Sequence, residues 1–157
     1  MYNSEILKLT FLLQSVGIPY ILDKLCGGWI IKVEIDIKKR KMIDVVCNRY
    51  SYGHEEELLE IMGGLTEQEM ETSSVLGWLD AEEAFRRIKW CYEHKTVVFS
   101  EDEAKEDKII NLNMYDYDSV KDMAYDVHKY EEKGYIVFVY NDRKELIQVT
   151  RASNVNL

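Results

Sequence analysis

Apolar residues recur at helical spacing near the start of the chain, where Ile6, Leu7, Leu9, Leu12, Leu13 and Val16 mark one face of a helix from Ser4 to Val16. Ser4 stands in position to cap that helix and Gly17 to end it. The period then drops to two. Pro19 to Leu25 reads as extended and Gly27-Gly28 as a turn. In the strand from Trp29 to Ile37, Ile31, Val33, Ile35 and Ile37 alternate with Lys32, Glu34 and Asp36. Lys38-Lys-Arg-Lys41 turns the chain, and Met42 to Tyr50 resumes the alternation, which predicts an antiparallel hairpin. Helical spacing returns from His54 to Met62 and stops at Gly63-Gly64. Thr66 and Glu69 form a Thr-x-x-Glu capping box, and Asp80 opens a longer helix with Phe85, Ile88 and Cys91 or Tyr92 on one face.

The second half predicts strands at Thr96 to Ser100 and Lys108 to Met114 and a helix from Asp118 to Lys133 stopped by Gly134. A hairpin of Tyr135 to Tyr140 with Glu145 to Thr150 follows, turning at Asn141-Asp142. The expectation is an α+β fold of antiparallel strands with helices packed on them. It divides into an α-βββ-αα unit over residues 1–95 and a ββαββ unit over residues 96–157, or runs as one continuous domain. The mostly charged tract Glu101 to Asp107 is the expected junction. With 157 residues, 46% of them hydrophobic and one proline, the chain can bury a core and lies far from disordered classes. Apolar runs such as Tyr135 to Tyr140 fall well short of the roughly 18–20 residues of a membrane span. Met1 to Glu5 lacks the basic-then-apolar pattern of a secretion signal, so the expected location is the cytoplasm.

Charge changes the picture more than composition does. The formal net charge is −9, and between Ser51 and Phe85 there is no lysine or arginine, while Glu55, Glu56, Glu57, Glu60, Glu67, Glu69, Glu71, Asp80, Glu82 and Glu83 all fall there. A second concentration includes Glu101, Asp102, Glu103, Glu106 and Asp107. Clustered carboxylates repel phosphate and attract basic surfaces. Direct nucleic-acid binding is therefore not expected, and a protein partner with a basic surface is. The alternative is that these acids are ordinary solvated helix faces and helix N-termini. The basic residues gather in two small groups, Lys38 to Lys41 and Arg86, Arg87 and Lys89. A ligand pocket for a nucleotide would have to draw its cations from these.

No phosphate-binding loop, dinucleotide fingerprint, serine elbow or His-Glu-x-x-His helix is present. In Ser51-Tyr-Gly-His-Glu-Glu56, His54 beside carboxylates is a candidate general base, but helix initiation explains the segment more simply. Cys26, Cys47 and Cys91 are widely spaced and read as reduced, inert thiols, and Cys91 with His94 supplies only two ligands. No cofactor or metal is expected.

From Val16 to His94 the succession Val16-Gly-Ile-Pro-Tyr20, Gly28-Trp-Ile-Ile31, Ser51-Tyr-Gly-His54, Leu58-Leu-Glu-Ile-Met-Gly63, Leu65-Thr-Glu67, Val75-Leu-Gly-Trp-Leu79 and Ala81-Glu-Glu-Ala-Phe-Arg-Arg-Ile88 resembles small, mostly uncharacterised phage and prophage proteins of Gram-positive bacteria. The resemblance covers about half of the chain and brings no catalytic residues. It implies an accessory protein similar to inhibitors of host defence, including anti-CRISPR proteins, acting on a CRISPR-associated or other nuclease. Carboxylates of Glu55, Glu56, Glu57, Glu60, Glu67, Glu69 and Glu71, with Asp102 and Glu103, would pair with cations that otherwise hold phosphates. Tyr52 and Trp78 are candidate aromatic anchors, with Tyr50, Tyr115 and Tyr117 as further candidates. For Trp78, as for Trp29, the apolar neighbours in sequence favour a core position. A nucleotide sponge and a small hydrolase centred on His54 are the alternative readings.

Overall fold

A computed structural model describes residues 3–150. The fold is α+β, and the chain divides into two compact units, Met1–Glu106 and Asp107–Leu157. The first begins with helix α1 (Ser4–Ser15), capped by Asn3 rather than Ser4, because the Asn3 carboxamide oxygen accepts from the N–H groups of Glu5 and Ile6 at 2.8 and 3.0 Å. Strands β1 (Ile21–Leu25), β2 (Gly28–Asp36) and β3 (Lys41–Cys47) form the expected meander. Cys26 and Gly27 both take positive φ, as a two-residue hairpin turn requires, and that turn pairs Leu25 with Gly28.

The stretch from His54 to Met62 departs from the predicted helix. A single 3-10 turn, His54–Glu56, lies between Gly53 at φ 93° and Glu57 at φ 60°, and the chain then extends as β4 (Leu59–Met62). Buried Leu59 and Ile61 alternate with Glu60 and Met62, and β4 pairs with β3 on one side and β5 (Val75–Leu79) on the other. Ladder bonds on both edges outweigh a helical spacing too short to nucleate a helix. The capping box holds as read: the Thr66 side chain accepts from Glu69 N–H, Glu69 accepts from Thr66 N–H, and one helical turn, α2 (Glu67–Met70), follows. Helix α3 (Ala81–His94) starts at Asp80, whose side chain accepts from Glu83 N–H.

The sheet order β1-β2-β3-β4-β5 leaves β1 and β5 at the edges. One face, built from Ile31, Val33, Ile35, Ile43, Val45, Leu59 and Ile61, is fully buried with Leu9, Leu12 and Leu13 of α1 and Phe85 and Ile88 of α3. Helices α1 and α3 pack on each other and over β2, and each such buried side chain contributes about 1.5–3 kcal/mol.

Residues 96–100 form no strand of the second unit. Gly64 N–H donates to Val97 at 2.7 Å, Phe99 N–H donates to Leu65 at 2.8 Å, and Val98 bridges Leu65, so the segment belongs to the first unit, and the division falls after Glu106, within the expected junction tract Glu101 to Asp107 and past residue 95. The second unit consequently has one strand fewer than expected before its helix. It runs β6 (Ile109–Asn113), a 3-10 turn (Met114–Asp116), α4 (Val120–Glu132), β7 (Ile136–Tyr140) and β8 (Leu146–Thr150). The pair β6–β7 is parallel, with α4 as its crossover, and β7–β8 is antiparallel. Met123 and Val127 of α4 pack on Val137 and Val139 of β7.

Candidate functional site

The first unit keeps three large aromatic side chains in solvent on or beside its β5 edge. Tyr50, Tyr52 and Trp78 are 71%, 56% and 59% exposed, so the core position favoured for Trp78 by its sequence neighbours does not hold. The cause lies in the strand pairing. Leu59 pairs with Leu79 but Ile61 pairs with Leu76, so Glu60 faces both Gly77 and Trp78, a β-bulge. Trp78 takes φ 56°, a left-handed conformation that costs a bulky residue on the order of 1–2 kcal/mol. The bulge turns its ring away from the core and onto Tyr52, with centroids 5.5 Å apart and planes 24° apart.

Tyr52 is held as firmly. Its N–H donates to Glu60 Oε2 at 2.8 Å and its carbonyl accepts from Trp78 N–H at 3.4 Å. Upstream, Asn48 accepts from Tyr50 N–H through its side chain and from Ser51 N–H through its carbonyl, which fixes the turn presenting Tyr50 and Tyr52. Gly77 allows the close approach: a Cβ there would collide with Tyr52 Cβ and lie 2.9 Å from the Tyr52 carbonyl oxygen. Glu55 and Glu56 are exposed on the adjoining 3-10 turn and Glu57 just after it, and the Glu57 carbonyl is anchored by the Asn3 side chain at 3.0 Å. Tyr52, Trp78 and Glu60 are thus in one structure, with Glu55 to Glu57 on the next turn of chain.

Glu82 pairs with Lys8 of α1 at 2.8 Å and Asp80 caps α3, while several of the other acids gather at the opposite end of β4, around two arginines. Arg87 is buried, donating to both oxygens of Glu69 at 2.7 and 3.1 Å, to Glu83 Oε1 at 2.9 Å and to the Gly64 carbonyl at 3.1 Å. Arg86 binds Glu83 and reaches Glu101 at 2.7 Å, and both guanidinium groups lie over the buried Phe99 ring. Glu69 is therefore a structural carboxylate already neutralised inside the unit. Glu67 and Glu71 flank it in solvent, and Asp102 and Glu103 are exposed in the turn that Glu101 ties to α3. The carboxylates form two groups, one beside the aromatic shelf and one around Arg86 and Arg87.

Other candidates are accounted for locally. His54 Nδ1 is 2.7 Å from the Ser51 carbonyl, a contact that holds the turn. Burial pushes the Cys91 thiol up to about 12 and raises Cys47 as well, which keeps both protonated and unreactive near neutral pH. His94 stacks on Trp90, with centroids 4.1 Å apart, and its Nδ1 lies 2.7 Å from the Trp90 carbonyl. In the second unit Tyr115 is exposed, while Tyr117 donates to Asp126 at 2.9 Å and is pushed up to about 12 by burial and that carboxylate. No helix among the described residues is long and apolar enough to cross a membrane.

No family model, curated protein or solved structure matches this chain. The feature missed from sequence is the bulge, and Gly77 before a tryptophan inside a strand was its trace, since glycine within a strand marks a bulge or a close backbone approach.

The arginine-centred group predicts a pH dependence. Burial opposes ionisation of Glu69, but hydrogen bonds from Arg87 and from Thr66 N–H more than offset it and hold the carboxyl below its ordinary value of 4.5. A depressed folded-state value stabilises the fold above the unfolded value, and that contribution is lost as pH falls through the folded value. Glu69→Gln should lower unfolding free energy near neutral pH, and the gap to the parent should close as pH falls below 4.5. Urea unfolding across that range measures it, and a gap independent of pH would contradict the assignment.

Proposed function

We propose that this chain is a non-enzymatic binding protein whose aromatic shelf and neighbouring carboxylates engage a basic surface of another protein. The observation that carries this reading is Trp78, kept exposed against Tyr52 at a conformational cost that solvation alone does not explain. Flat exposed rings next to Glu55, Glu56, Glu57 and Glu60 suit arginine and lysine side chains, which stack on aromatic faces and pair with carboxylates together. Tyr50 already carries such a contact, with the Arg49 guanidinium 4.9 Å from its ring centre. The acid-rich middle of the chain and the resemblance of residues 16–94 to phage proteins direct the reading to a host-defence nuclease, CRISPR-associated or other. The chain would occupy the channel whose arginines and lysines hold phosphates. Glu67, Glu71, Asp102 and Glu103 would extend the acidic contact.

The test separates binding from folding. Trp78→Gly places the residue most at ease with φ 56° at the bulge, so stability should stay within about 1 kcal/mol of the parent as lost ring stacking offsets relieved strain. Partner capture should fall at least about tenfold, since buried aromatic anchors dominate interfaces. Glu55→Lys, Glu56→Lys and Glu57→Lys together should abolish capture at low salt, and high salt should weaken it for the parent. The captured protein should be a nuclease that the parent chain inhibits in a cleavage assay. Equal capture by parent, Trp78→Gly and the charge-reversed variant at both salt concentrations would refute the shelf as the interface.

A further inference from the structure

A second feature lies at the other edge of the five-stranded sheet. Strand β1 stops at Ile21, opposite Lys32, while β2 runs on to Asp36. Pro19 lacks the N–H a continuing ladder would need. Leu25 pairs with Gly28 across the two-residue turn, so the N–H and C=O groups of Gly28, Ile30 and Lys32 point toward β1. Those of Glu34 point the same way, with no strand opposite, before a β-bulge at Ile35 pairs Asp36 with Lys41 of β3. The notch so formed is a cleft of about 580 Å³, closed on another side by Tyr92 and Lys95 at the end of α3.

Its lining departs from the rest of the molecule. The chain has 29 acidic and 20 basic residues, yet Lys32 from β2, Lys38 from the hairpin turn and Lys95 from the end of α3 converge here. No ion pair within 4 Å among the described residues engages any of the three, although Lys32 stands opposite Asp44 of β3 and its charge favours that carboxylate's ionised form. Two tyrosines and apolar Ile21 and Ile37 complete the walls, and these isoleucines are 59% and 75% exposed. Tyr20 is oriented by Gln14, whose Nε2 donates to its hydroxyl at 2.6 Å, and the Tyr92 ring has Lys95 Nζ 5.2 Å from its centre. Of the two acids in the lining, Asp36 accepts from Lys39 N–H in the turn, which leaves Glu34 to receive hydroxyl or amino donors.

We infer that this cleft binds a small anionic molecule bearing a planar ring and hydroxyl or amino donors, that is, a ligand of the nucleotide class. The volume matches pockets for such ligands, the rings and isoleucines offer an apolar seat, and lysines from three elements meet a phosphate that a net-negative surface would otherwise repel. The inference is independent of the aromatic shelf, which is built on the opposite edge of the sheet.

Isothermal titration of the whole chain with AMP, ATP and inorganic phosphate tests it. AMP and ATP should bind, and phosphate alone should bind at least about tenfold more weakly because it cannot use the rings. Lys38→Gln with Lys95→Gln should weaken nucleotide binding at least about tenfold, and Tyr92→Leu likewise. Lys38 lies in an exposed turn, so Lys38→Gln by itself leaves the fold intact and should still weaken ATP measurably. No heat with any nucleotide up to about 10 mM, or affinities unchanged in folded variants, would overturn the inference. Phosphate binding as tightly as AMP would overturn its aromatic part.

Discussion

Arg87→Ala is expected to cost the first unit about 3–5 kcal/mol, the largest effect of any single charge removal, because it leaves carboxylates without their buried partner. Arg87 fastens three pieces of chain: Glu69 in α2, Glu83 in α3 and the carbonyl of Gly64 after β4. Each of its three nitrogens donates, with little solvent to replace the bonds, and its guanidinium also covers Phe99. Arg87→Lys should recover little, since an ammonium on a flexible stem cannot reproduce the planar fork that meets both oxygens of Glu69. Arg86→Ala should cost far less, about 1 kcal/mol, because its partner Glu101 is more than half exposed. Urea unfolding read by tryptophan fluorescence ranks the three. Equal losses for Arg86→Ala and Arg87→Ala would show that burial does not set the difference.

Gly77→Ala carries the second large effect, and it couples fold to function. The new methyl would meet Tyr52 Cβ and the Tyr52 backbone, so the turn bearing Tyr52 must move or the bulge must open. Overpacking of this kind typically costs about 1–3 kcal/mol. The Tyr52–Trp78 stack would be lost with it, and partner capture should drop to the level of Trp78→Gly. Repeating Gly77→Ala in a Tyr52→Gly background removes the colliding Cβ, and the stability cost should shrink while capture stays low. A cost of Gly77→Ala that is the same in both backgrounds would place the strain elsewhere.

The elements that were legible in the sequence are those whose local chemistry and tertiary role agree. The Thr66–Glu69 capping box and the Asp80 cap of α3 appear as read, and the β2–β3 alternation does so through Ile35, after which a bulge leaves Ile37 beyond β2 and in solvent; a cap or a half-buried strand satisfies itself within a few residues. Misreadings fall where long-range pairing decides. His54 to Met62 carries apolar residues compatible with either period, and the edges of β3 and β5 select a strand. Thr96 to Ser100 looks like a strand of the second half, but its hydrogen bonds go back to Gly64 and Leu65. The parallel β6–β7 pair has no local signature either, since a crossover helix of α4's length serves several topologies.

The candidate site divides along the same line. Acid clustering and the presence of Tyr52 and Trp78 are properties of the sequence, and so is the α+β class, because periodicity and charge are written residue by residue. Which carboxylates are free is not. Glu69 and Glu83 are consumed by Arg87, which lies 18 residues from Glu69, while Glu55, Glu56 and Glu57 stay in solvent. Likewise Trp78 has an apolar neighbourhood in sequence but an exposed ring in space, because a bulge against Glu60 reverses the side to which it points. The lysines around the cleft come from a strand, a turn and a helix end, and only folding unites them. Burial and pairing depend on contacts between residues far apart along the chain, and those are settled when the sheet assembles.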